Sequence, residues 1–100
     1  MNDGLEPKHR RMIREILAKA DHVDRAVLFG SRATGTFDRA SDIDLALEGQ
    51  DLSLPDLAFL QNEFAESSLP WQVDLVIRAE IASPELENRI QKHGKVFYEK

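Results

Sequence analysis

The chain has 100 residues, 42% of them hydrophobic, which suits one domain spanning 1–100 with one modest core. Its net charge of −5 argues against direct nucleic-acid binding, which needs a basic face, and no apolar run is long enough to cross a bilayer. With no cysteine, disulfides and thiolate metal sites are excluded; the start, MNDGLEPKHRR, lacks the apolar stretch of a signal peptide, so a cytoplasmic home is expected.

In chain order, EPKHRRMIREILAKA sets Met12, Ile13, Ile16, Leu17 and Ala20 at helical spacing with basic residues opposite. RAVLF is a short apolar run ending at Gly30, readable as a buried strand, and DIDLAL is a second, closed by Glu48-Gly49. Ser53 with Asp56 fits a capping box, and Pro55 suits a first turn. The helix that follows is expected to bury Leu57, Leu60 and Phe64 and to end near Ser67-Ser68. WQVDLVI is a third strand. Ser83-Pro84 opens a last helix, Gly94 ends it behind Lys92 and His93, and KVFYEK is a short closing strand. Phe29, Phe37, Phe59, Phe64 and Phe97 are assigned mainly to the core, and His9, His22 and His93 to the surface. Strands alternating with helices predict an α+β, α/β-like fold, helices packed on a small sheet. The pattern leaves strand direction open. The link between the first two strands lacks a long helix, which favours a mixed sheet.

The chemistry concentrates in FGSRATGTFDRASDIDLALEG, residues 29–49. Strand residues two apart share a face, roughly 6.6 to 6.8 Å apart. Asp42 and Asp44 are therefore expected to project together, with Ile43 and Leu45 turned to the core. Two such carboxylates suit one hard cation or a bridged pair, and without a cation their repulsion raises one pKa. Asp74, in the otherwise apolar QVDLVI, needs a metal, an arginine or water. If its strand lies beside the second one, three carboxylates meet, and Asp74 is placed to accept a proton from an attacking hydroxyl.

Gly30 and Ser31 end the first strand, Gly35 follows, and Ser41 precedes the aspartates. Glycine lets backbone approach a ligand closely, and free N–H groups at a helix start attract phosphate. Arg32 and Arg39 are within reach of a polyphosphate, or are solvated surface charges. Other motifs fail on spelling: Thr36 stands where a P-loop needs lysine, and Ala46 and Leu47 stand where an EF-hand needs a ligand and glycine.

GSRATGTFDRASDIDLAL with the later VDLVI resembles the DNA polymerase β-like nucleotidyltransferase superfamily: Gly-Ser, then D-x-D, then a third aspartate. The tail LENRIQKHGKVFYE is similar to the closing helix and strand of its minimal nucleotidyltransferase (MNT) group. The resemblance implies a small mixed sheet and attack of an acceptor hydroxyl on the α-phosphate of an NTP. It implies that Gly30 and Ser31, with Arg32 and Ser41 beside them, bind the nucleotide. Asp42, Asp44 and Asp74 become the catalytic carboxylates and the ligands of two Mg²⁺ ions. Thr34 departs from the arginine of many members, leaving one phosphate or partner contact without its residue. Members of the group are commonly encoded beside a HEPN-domain toxin ribonuclease and neutralise it by transferring AMP to a tyrosine. ATP as substrate, Mg²⁺ and a HEPN partner are thus expected, the acceptor lying on the partner because the catalytic core occupies the whole chain. The alternatives are an antitoxin that only masks its toxin, using the first helix, Trp71 or the tail, and transfer to a small molecule or RNA with a homo-oligomer completing the site.

Overall fold

The computed structural model describes residues 2–100. Pro7 occupies the first position of α1 (Pro7–Ala18), where its missing N–H has no helical partner to lose, and Ile13, Ile16 and Leu17 form the buried stripe. β1 (Arg25–Phe29) stops at Gly30, and a single helical turn, α2 (Ser31–Thr34), follows. β2 (Ile43–Glu48) leads into α3 (Leu54–Ala65), whose start is held by Asp56. The Asp56 carboxylate accepts from the Ser53 N–H at 2.9 Å and from the Ser53 hydroxyl at 3.0 Å. β3 (Val73–Ile77), a 3₁₀ turn (Arg78–Glu80), α4 (Pro84–His93) and β4 (Lys95–Glu99) complete the chain.

The strands make one sheet in the order β3-β2-β1-β4. β1 runs antiparallel to β2 and β4, whereas β2 and β3 are parallel. The connections explain both directions. Parallel neighbours need a crossover of a dozen or more residues, which α3 supplies between β2 and β3. A single helical turn between β1 and β2 makes no such crossover, and the two strands pair antiparallel. The mixed sheet expected from the pattern is the one observed.

Both faces of the sheet are covered, which is why its strands read as near-continuous apolar runs. Ala26, Leu28, Ile43, Leu45, Leu47, Val73, Leu75 and Ile77 form the main core with α1 and α3. On the opposite face α4 lays Ile90 against Val27 and Ala46, with Phe29, Val76 and Leu86 around them. Gly94 ends α4 with φ at −64°, so close packing rather than a left-handed turn requires glycine there. A β-carbon would collide with the Ile90 carbonyl and Val27 Cγ1. Phe59 corrects an expectation: it is 45% exposed. Leu60 and Phe64, four apart, take the core side of α3 and turn Phe59 away from it. No helix among the described residues is long and apolar enough to cross a membrane.

Candidate active site

Strand register brings the acidic residues together. In the parallel pair, Asp44 of β2 lies opposite Asp74 of β3, and in the antiparallel pair Phe29 of β1 lies opposite Asp44. Neighbouring strands are about 4.8 Å apart, so the two carboxylates leave the sheet side by side. Their flanking residues Ile43, Leu45, Val73 and Leu75 are buried on the other face. Asp42 stands exposed one residue before β2. Asp74 Oδ1 accepts a hydrogen bond from Gln72 Nε2 at 3.0 Å. Gln72 escaped the sequence reading, although it shares the face of Asp74 by the same period of two.

Asp44 is half-buried, and its pKa is pushed up to about 6. Burial is the main cause, followed by the charges of Asp74 and Asp42 and a hydrogen bond with Asp74. Crowded oxygen donors of one sign are the donor set of a hard divalent cation. Among the described residues they do not close into a cage of three ligands. An open set suits Mg²⁺, which keeps several waters and takes substrate phosphate oxygens rather than an all-protein shell.

Gly30 forms the floor beneath Asp44. Its φ of 77° and ψ of −157° lie where side chains are disfavoured. A β-carbon at this position would also run into Asp44 Oδ2. The Gly30 carbonyl accepts from the N–H groups of Ala33 at 3.1 Å and Thr34 at 3.2 Å, which winds α2 directly beside the carboxylates. The Ser31 and Arg32 N–H groups, at the first two helical positions, have no carbonyl to reach within that turn. Thr34 keeps its hydroxyl local, 3.0 Å from the Thr36 hydroxyl.

Three expectations change. Arg32, expected at a polyphosphate, is only 1% exposed. Its Nε and Nη2 donate to the Ser41 carbonyl at 3.1 and 2.9 Å, and its Nη1 to the Asp3 carbonyl at 2.9 Å. Backbone oxygens therefore take the donors that a phosphate was expected to use. Ser41, expected beside the nucleotide, turns its hydroxyl to accept from the Asp38 N–H at 2.9 Å and so closes the turn ahead of Asp42. His9, expected on the surface, is half-buried, its ring edge-on to Trp71 at 4.8 Å.

Residues 11–100, which include every one of these carboxylates, match the family described as Polymerase beta, Nucleotidyltransferase. The chain belongs to that nucleotidyltransferase family. It is 38% identical over 73 residues to the probable protein adenylyltransferase MntA of Haemophilus influenzae, covering 72% of this chain and 63% of that protein. The chain thus spans less than two thirds of that relative's length. Among solved structures, a toxin–antitoxin with AMP-PNP matches this nucleotidyltransferase with a TM-score of 0.74 at 31% identity, over 91% of this chain and 73% of the other. A mutant MntA–HpeT toxin–antitoxin gives 0.72 at 27% identity with the same coverage.

Proposed function

We propose that this nucleotidyltransferase moves AMP from ATP to a tyrosine hydroxyl of a HEPN-domain toxin and acts as its antitoxin. The pairing of Asp44 with Asp74 across β2 and β3, beside Asp42 and above Gly30, carries the reading. The similarity to a protein adenylyltransferase and to toxin–antitoxin structures supports the donor and the kind of partner.

The backbone N–H groups of Ser31 and Arg32, presented by Gly30, bind phosphate oxygens of the nucleotide. Asp42, Asp44 and Asp74 would hold two Mg²⁺ ions, which neutralise phosphate charge and stabilise the entering and leaving oxygens. Asp74, steadied by Gln72, accepts the proton of the attacking hydroxyl. The hydroxyl oxygen bonds to the α-phosphorus, the bond from that phosphorus to the bridging oxygen breaks, and pyrophosphate leaves. Catalysis of this kind is mostly positioning and charge neutralisation, which few side chains suffice to supply.

The test is intact-mass analysis of the HEPN partner after incubation with this protein, Mg²⁺ and each NTP in turn. A nucleoside-monophosphate adduct formed with ATP and absent with Asp42→Asn/Asp44→Asn is the expected result. An unmodified partner that still binds and loses its ribonuclease activity would replace transfer with masking.

A further inference from the structure

Arg32 joins four separate segments of the chain. Beyond its bonds to the carbonyls of Asp3 and Ser41, its guanidinium carbon lies 4.5 Å from the Trp71 ring centroid and 5.1 Å from that of Phe37. Trp71 Nε1 donates in turn to the Arg39 carbonyl at 2.7 Å. Gly4, at φ 79°, packs against the Phe37 ring and Arg32 Nη1 with no room for a β-carbon. A charge this deeply buried is costly unless it is fully used. Its partners are backbone carbonyls and aromatic faces, with the charges of Asp3, Asp38 and Asp42 nearby.

Two of those partners adjoin the carboxylates. Ser41 immediately precedes Asp42. Trp71 stands just before Gln72, whose side chain holds Asp74 and whose carbonyl accepts the Ile43 N–H at 2.9 Å. We propose that Arg32 is a positioning residue: its fork on the Ser41 carbonyl and its stack on Trp71 set the starts of β2 and β3, and with them Asp42, Asp44 and Asp74. The proposal rests on the reading of those aspartates as the nucleotidyltransferase carboxylates. It gives the Arg32 guanidinium no contact with the nucleotide, the backbone N–H alone facing the phosphates.

Lysine separates this role from phosphate binding. A lysine is a serviceable point charge for phosphate, but it cannot fork onto a carbonyl while lying flat on an indole. The experiment compares Arg32→Lys with Arg78→Lys. Arg78 is an equally well-paired arginine, bonded to Glu48 at 2.9 Å and Glu87 at 2.8 Å, beyond the far end of β3. In Arg32→Lys, kcat should fall roughly 10- to 100-fold with KM for ATP changed less than about 3-fold, because misplacing reacting groups by about 1 Å costs on that order. The emission of Trp71, the only tryptophan in the chain, should shift, and the amide resonances of Asp42 and Asp74 should move. Arg78→Lys should do none of this. A KM for ATP raised tenfold at unchanged kcat would make Arg32 a phosphate ligand and overturn the proposal. So would amides of Asp42 and Asp74 that stay in place, a measurement that decides Arg32 even if the wild type transfers nothing to any acceptor. Should Arg32→Lys fail to fold, Trp71→Leu takes its place. It removes the ring under the guanidinium and leaves Arg32 in the chain, so kcat should drop several-fold with the Asp42 amide shifted, and no change in either would overturn the proposal.

Discussion

Asp44 carries the energetic conflict of the site. Its carboxyl, half-buried beside Asp74 and Asp42, holds its proton up to a pKa of about 6. The unfolded chain releases that proton near 4, so folding is penalised when Asp44 is charged. The penalty is full above about pH 6 and fades as the pH falls toward 4. A two-unit rise corresponds to about 3 kcal/mol for a fully buried group, which solvent screening reduces to about 1 kcal/mol here. Asp44→Asn should therefore raise metal-free stability at pH 7 by about 1 kcal/mol in urea unfolding, with the gain gone by pH 4. Gly30→Ala should act in the opposite direction. It forces a side chain into positive φ and onto Asp44 Oδ2, costing about 1–3 kcal/mol in the same assay and lowering transfer at least tenfold. The outward face of Asp44 and the need for glycine at position 30 were legible in the sequence because period-two spacing and glycine chemistry act between near neighbours. Asp42, exposed one residue before β2, lies outside the strand whose period was used to place it. The fate of Arg32 was not. Its partners, the carbonyls of Asp3 and Ser41, come from segments that only the folded chain brings together.

The elements repeat this division between near and distant information. The long helices announce themselves, α1 through its apolar stripe, α3 through Ser53 and Asp56, α4 through Ser83, which accepts from the Leu86 N–H at 3.3 Å. The single turn of α2 is too short for any periodicity and exists because Gly30 and the β1–β2 connection allow it. Strand direction was equally hidden, since it follows from where each connection crosses the sheet. The general rule that phenylalanine is buried misassigned one aromatic: Phe59 follows the face of its helix, whose period had picked Leu57, Leu60 and Phe64 instead. Paired substitutions on α3 measure that face. Leu60→Ala, emptying a fully buried site, should cost about 2–5 kcal/mol in denaturant unfolding, and Phe59→Ala less than about 0.5 kcal/mol. Comparable losses would place Phe59 in the core after all.

At the scale of the molecule, an acidic chain has to receive a polyanion. A net charge of −5, with three aspartates around the mouth where β2 and β3 begin, repels a triphosphate until cations intervene. The sheet concentrates that charge because α3 returns the chain to the same end, making β2 and β3 parallel and their aspartates neighbours. Nucleotide and Mg²⁺ should consequently bind as a unit. AMP-PNP alone should leave the thermal midpoint nearly unchanged, and Mg²⁺ alone should raise it modestly by relieving the repulsion at Asp44. Together, at about 100 times the dissociation constant, they should stabilise the fold by about 2.7 kcal/mol. For a domain of this size that is a rise of roughly 10–20 °C in calorimetry. Asp42→Asn/Asp44→Asn should abolish the combined effect while leaving the core intact. An equal rise from AMP-PNP without metal would mean that backbone N–H groups alone hold the phosphates, and that the carboxylates at the mouth serve some other cation or none.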